Sequence, residues 1–400
     1  MGQKNYLDQK ICLLSTGGVG SGKTVAICSS FTHMTLEGGI TAVTSSGRTI
    51  NCELVATNGC DVDHFHSTYF AMMSGKPFPN GNTENRTYEL IFKLNGEIVC
   101  SIYYMDYPGG LTRKNVDNIT REAEEEFNQM LVNSGILIYI VPGDILDAFI
   151  RLGGRGKDDF SDMTNEEREN YLKINQEMNQ IKTLMERADS LGSNAPVLFY
   201  VTKSDKIAYE KEIIPGLKNL IEQWKLQPKD RKVLGCHSTL GRNIVINEDH
   251  PDGHIMEAGF APTGFEIPLM LTVGYRLSTA GKKWAMDQIT AIEAELEADG
   301  QKKDEAIEKK ARKSAGFSGA KNKLLKFLGR TTAIDTQEEI IAEIEKKIAD
   351  SRKRLNEVDN KNAIKRHSAD ILAYLDTKFP EEILYLDENG QPQPLSEFFK

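Results

Sequence analysis

Over the first 280 positions the apolar residues gather into short solid runs, and beyond them they fall into spaced steps. KICLLS (10–15), GILIYIV (135–141), APVLFYV (195–201) and KVLGC (232–236) show no polar alternation, the pattern of strands covered on both faces. TVAICSSFTHM (24–34) follows the first of them as a helix, and residues 38–81 read as a β-hairpin followed by a short helix. KLNGEIVCSIYYMD (93–106) predicts a tight turn at Asn95-Gly96 and then a buried strand. Tyr171, Ile174, Met178, Ile181 and Met185 mark one apolar face of a helix over 164–190, expected to pack on the sheet, with an exposed partner-binding stripe as the alternative. GFEIPLMLTVGYRLS (264–278) forms a further helix with Pro268 in its first turn.

Past that point the period changes. Ala285, Ile289, Ile292 and Leu296 recur at helical spacing, as do Ile341, Ile344, Ile348, Ser351, Leu355 and Val358, and both series read as seams of packed helices. Thr336 with Glu339 has the form of a capping box opening the second helix. The expected architecture is α/β, a mostly parallel central sheet flanked by helices over 1–280, plus a coiled-coil-like α-helical hairpin with a tail over 281–400.

Composition narrows the class. A formal charge of -9 gives no global attraction to nucleic acid or to an anionic membrane, so no nucleic-acid partner is expected. No apolar run reaches the length of a membrane span, and the first ten residues lack an apolar signal core. Six scattered cysteines read as free thiols of a reducing, cytoplasmic compartment. Cys52, Cys60, His64 and His66 lack the tight cysteine pair with which zinc sites usually open, and read as a strand cysteine with polar neighbours.

The chemistry concentrates at ICLLSTGGVGSGKT (11–24), where Gly17-x-x-x-x-Gly22-Lys23-Thr24 matches the P-loop, or Walker A, pattern. A loop of Gly17, Gly18, Val19, Gly20, Ser21 and Gly22 between strand and helix turns backbone amides toward phosphate oxygens. Lys23 then neutralises the β and γ groups and the Thr24 hydroxyl holds Mg²⁺. Three later stretches, each ending an apolar strand, extend the pattern. Asp106-Tyr107-Pro108-Gly109 fits D-x-x-G, Thr202-Lys203-Ser204-Asp205 fits [NT]-K-x-D, and Ser238-Thr239-Leu240 is a degenerate S-A-K/L.

In that order these motifs resemble those of P-loop GTPases of the translation-factor and small-GTPase (TRAFAC) class, over residues 8–278. The resemblance implies a G domain, with insertions at 38–81 and 145–193, that binds GTP with Mg²⁺ and hydrolyses it to GDP as a molecular switch. By that resemblance Asp205 accepts hydrogen bonds from guanine N1 and N2, the Lys203 stem covers the base, and a backbone amide of the Ser238-Thr239-Leu240 motif reads O6. Thr24, Asp106 and a switch threonine hold the metal, and Lys23, that threonine and the Gly109 amide act on the γ-phosphate. Thr83 is the switch threonine by its distance of 23 residues from Asp106, whereas its rival Thr87 falls inside the next strand.

The chain also departs from the class. Gly110 stands where many members carry a glutamine that orients the attacking water, so slow hydrolysis is expected. Arg113, Arg155 and Thr112 are candidate substitutes whose simpler reading is solvated loop. D-x-P-G is shared with dynamin-like and septin-like branches, yet Gly20 occupies the place of the dynamin P-loop serine. Residues 302–330 carry ten Lys/Arg against three Asp/Glu with Phe317, Leu324, Leu325, Phe327 and Leu328 among them. A weak membrane contact at 312–330, docking of a protein partner, self-association through the hairpin and a plain solvated turn all fit that stretch. The alternatives to a switch are therefore a GTP-dependent assembly or membrane protein and a nucleotide-binding adaptor with negligible turnover.

Overall fold

A computed structural model describes residues 10–400 except 19, 45–46, 80–85, 107–120, 154–162, 248, 252, 315–332 and 362. Its elements in chain order begin with β1 (Ile11–Thr16), α1 (Lys23–Thr35), β2 (Ile40–Val43), β3 (Thr49–Ala56), α2 (Gly59–Met73), β4 (Arg86–Leu94) and β5 (Glu97–Asp106). They continue with α3 (Arg121–Asn133), β6 (Ser134–Pro142), α4 (Gly143–Arg151), α5 (Asn165–Ser190), β7 (Val197–Thr202), α6 (Ile213–Gln223) and β8 (Val233–His237). The last are β9 (Val245–Asn247), β10 (Ile255–Ala258), α7 (Ile267–Ser314), α8 (Ala333–Lys361), α9 (Ala363–Lys378), β11 (Ile383–Leu386) and α10 (Leu395–Phe398).

Nine strands form one mixed sheet in the order β11-β8-β7-β6-β1-β5-β4-β3-β2. The five from β8 to β5 run parallel, and antiparallel strands extend the sheet at both ends. The unbroken apolar runs occupy the middle: every residue of β6 and of β7 is buried, as strands covered by helices on both faces must be. The β4–β5 turn uses Asn95 and Gly96, with φ of 52° and 81°, the left-handed pair that a two-residue hairpin requires.

On one face α5 opens with a capping box between Thr164 and Glu167 and buries Tyr171, Ile174, Met178, Ile181 and Met185, joining Leu14, Met105, Tyr139, Val141 and Phe199 of the strands in one core. Elsewhere Phe31 of α1 meets Phe65 of α2 with ring centroids 4.4 Å apart. Among the described residues no helix is long and apolar enough to cross a membrane.

The chain divides into two compact units, one of Met1–Ser278 with His367–Lys400 and the other of Thr279–Arg366. The tail after His367 belongs to the first unit. β11 pairs antiparallel with β8, Ile383 opposite Cys236 and Leu386 opposite Val233, and Phe398 is 1% exposed. The helix begun at Ile267 does not close at 278. α7 runs through Gly281 to Ser314, because the surrounding Ala, Glu, Lys and Arg are strong helix formers.

In the second unit α7 and α8 run antiparallel, with Arg354–Glu295, Lys303–Glu345 and Lys310–Glu338 ion pairs marking the register. Ile292, Ala306, Ile344 and Ser351 are buried in it. α8 begins at Ala333, so Thr336 lies inside the helix and is not its N-cap, since Ala333 to Asp335 already take helical conformation. The segment 315–332, with its basic and aromatic residues, lies outside the described residues.

Candidate functional site

β1 stops at Thr16, whose hydroxyl donates to Ile138 O at 2.8 Å, and α1 starts at Lys23, leaving six residues to make the turn. Gly17 is needed there because a Cβ would lie 2.8 Å from Ser21 Oγ and 3.0 Å from Ile140 Cβ. Gly22, with φ of 91°, sits at the N-cap of α1 in the left-handed region, and no side chain caps this helix N-terminus, the end that favours an anion.

Lys23 is only 7% exposed. Its ammonium donates to Gly17 O and Gly18 O at 2.9 Å each and to Ser21 Oγ at 3.5 Å. Burial pushes its pKa down, and the negative charges of Asp106 and Glu177 oppose that shift. The Thr24 hydroxyl donates to Asp106 Oδ2 at 2.8 Å, across 82 residues of sequence. The parallel register that sets Met105 beside Leu14 carries Asp106, the last residue of β5, to this loop, where it is 1% exposed.

The far end is built from the segments that follow β7 and β8. Thr202 Oγ1 donates to Ser21 O at 2.6 Å and so ties the end of β7 to the glycine loop. Lys203 takes a left-handed conformation, φ 52°, and its side chain is exposed. Burial raises the Asp205 carboxyl above its ordinary range, opposed by hydrogen bonds from its own backbone and Thr239 and by Lys206 and Lys203. Thr239 Oγ1 donates to Asp205 Oδ1 at 3.5 Å and accepts from Gly241 N at 3.0 Å. His237, 5% exposed, has its pKa lowered to about 4 by burial first and the nearby Arg242 second. A cavity of about 580 Å³ opens beside Thr239 and is bordered by His237, Arg242, Phe260, Lys378 and Phe379.

Gly17, Gly18, Gly20, Ser21, Gly22, Lys23, Thr24, Asp106, Thr202, Lys203, Asp205, Ser238 and Thr239 are thus gathered at the carboxyl-end edge of the parallel strands. The expected role of the Ser238-Thr239-Leu240 amides narrows. Ser238 N donates to Val201 O at 2.9 Å and Thr239 N to Thr263 O at 3.1 Å, so these two amides are already engaged in holding β8 and its loop. What the pair presents is the Thr239 hydroxyl, since Ser238 Oγ is buried against Tyr200 OH at 2.5 Å. Val19, Thr83 and Gly109 lie outside the described residues, as do Gly110, Thr112, Arg113 and Arg155. Thr87 is an exposed residue of β4. Cys52 is buried in β3 and Cys60 exposed on α2, and among the described residues no cluster of three or more His, Cys, Asp or Glu is placed to hold a metal ion.

Two residues at the loop carry no motif. Glu177 and Gln180 of α5 face Gly18, and Gly18 N donates to Glu177 Oε1 at 3.4 Å. Nothing local marks them, because they are ordinary polar positions of a half-buried helix. Compared with protein-family models the chain matches none, and a comparison with curated proteins likewise gives no match.

Proposed function

We propose that this chain binds GTP with Mg²⁺ and hydrolyses it slowly to GDP, acting as a molecular switch. The observation that carries the reading is the grouping of Lys23 and Asp205 on one edge of the sheet, their loops joined by the bond from Thr202 to Ser21 O. In this reading a purine nucleotide lies with its phosphates at the glycine loop and its base at Asp205. The central strand order, with the phosphate loop after β1 in the middle of the sheet, supports a P-loop G domain extended by antiparallel strands.

In this reading Lys23 offsets charge on the β and γ phosphates while the first amides of α1 bind their oxygens. Asp205 accepts from guanine N1 and N2. Adenine offers neither donor and leaves a desolvated carboxylate without them, which penalises ATP. Thr24 and Asp106 are a hydroxyl and a carboxylate in mutual contact, the hard oxygen donors that Mg²⁺ selects, and with Thr83 they would hold it. The ion supplies charge neutralisation at the β and γ oxygens. Water attacks the γ-phosphorus, the bond to the β–γ bridging oxygen breaks, and GDP and phosphate leave. Gly110 offers no side chain to orient that water, and loss of the γ-phosphate releases Thr83 and Gly109.

Turnover of GTP and of ATP at several protein concentrations tests this. Slow GTP hydrolysis at a constant rate per molecule, with ATP left intact, is the expected result. A rate per molecule that climbs steeply with concentration replaces the switch by an assembly protein, and tight GTP binding without turnover replaces it by an adaptor. ATP hydrolysed as fast as GTP overturns the reading.

A further inference from the structure

The long helix α5 brings a negative charge to the outer side of the glycine loop. Its position is firm, because Ile174, Met178 and Ile181 around Glu177 are at most 2% exposed and the helix is capped at Thr164. A Cβ built on Gly18 would stand 3.2 Å and 3.3 Å from the two Glu177 oxygens and 3.4 Å from Gln180 Oε1. Gln180 Oε1 is buried and has no hydrogen-bond partner among the described residues. The wall that α5 turns toward Gly18 therefore offers acceptors and a charge of the same sign as phosphate.

We propose that the Glu177 carboxylate acts as a brake on phosphate binding, weakening the hold of the loop on nucleotide and hastening release of product. This rests on the reading of the loop as a nucleotide site. The electrostatic reach is visible in Lys23, whose protonated form is favoured by Glu177 as well as by Asp106. A charge that stabilises the ammonium at that distance repels the phosphates the ammonium receives. The contact with Gly18 N is long, at 3.4 Å, and an amide oxygen makes it equally well. Glu177→Gln therefore keeps that contact and removes the charge that faces the loop.

The test is the affinity and release rate of guanosine, GMP, GDP and GTP for the wild type, Glu177→Gln and Glu177→Ala, with melting curves for each. Glu177→Gln is expected to bind GDP about tenfold tighter and release it correspondingly more slowly. The gain grows from GMP to GDP to GTP, vanishes for guanosine and shrinks at high salt. Glu177→Ala shifts in the same direction. A merely structural residue gives weaker or unchanged binding, or a change independent of phosphate number, and either result overturns the brake while nucleotide binding stands. If neither wild type nor variants bind any of the four ligands, the nucleotide reading itself fails and the brake with it.

Discussion

At the glycine loop Lys23 donates two bonds of 2.9 Å and Thr24 reaches Asp106 at 2.8 Å, whereas at the other end of the site Asp205 is reached by Thr239 at 3.5 Å. The first set is fixed by the ends of two adjacent parallel strands and the start of a helix, elements whose spacing leaves little freedom. The second hangs on loops, with Lys203 in a left-handed turn and Thr239 bridged to Thr263. On the proposed reading the division matches two tasks. Contacts to phosphates supply affinity common to all nucleotides, and contacts to the base decide which nucleotide is kept.

Breaking each end separately should show that division. Asp205→Asn is expected to move the GDP-to-XDP preference by about 1,000-fold, since the amide oxygen still accepts from N1–H while its NH₂ donates to the carbonyl that xanthine carries in place of the guanine 2-amino group. Competition between the two nucleotides measures it, and any affinity for free phosphate chains should stay unchanged. Lys23→Ala should weaken GDP and XDP alike by about 100-fold, roughly 3 kcal/mol, because a lost ammonium carries no information about the base.

The Asp205 end should also respond to pH through His237. Its folded pKa of about 4 lies below the unfolded 6.5, so the unfolded state binds more protons between those values and stability falls as pH drops through that window. Wild type should lose about 2–3 kcal/mol from this group between pH 7 and 4.5. His237→Gln should lack that part of the slope in denaturant titrations at the two pH values. An equal slope in both proteins removes His237 as its source.

The glycine-loop end was the more legible in sequence. Its strand, loop and helix are contiguous over residues 10–34, and the hydrophobic runs of β6, β7 and β8 mark where its neighbours lie. Asp106 and Thr202 were readable because each closes such a run. What could not be read depends on contacts between distant segments. Glu177 lies 159 residues from Gly18, and its place at the loop follows from how α5 packs, not from any spacing around it. The four residues of β11 are too short to declare themselves, and their pairing with β8 makes the tail part of the first unit. Ser238 and Thr239 sat where the motif placed them, yet their amides serve the loop, a detail set by Val201 and Thr263.

The most direct test of the account is a calorimetric titration of the wild-type chain with GDP and with ADP in the presence of Mg²⁺. The account expects GDP to bind at least about 100-fold more tightly. Equal affinity for the two, stronger binding of ADP, or no binding of either would contradict it.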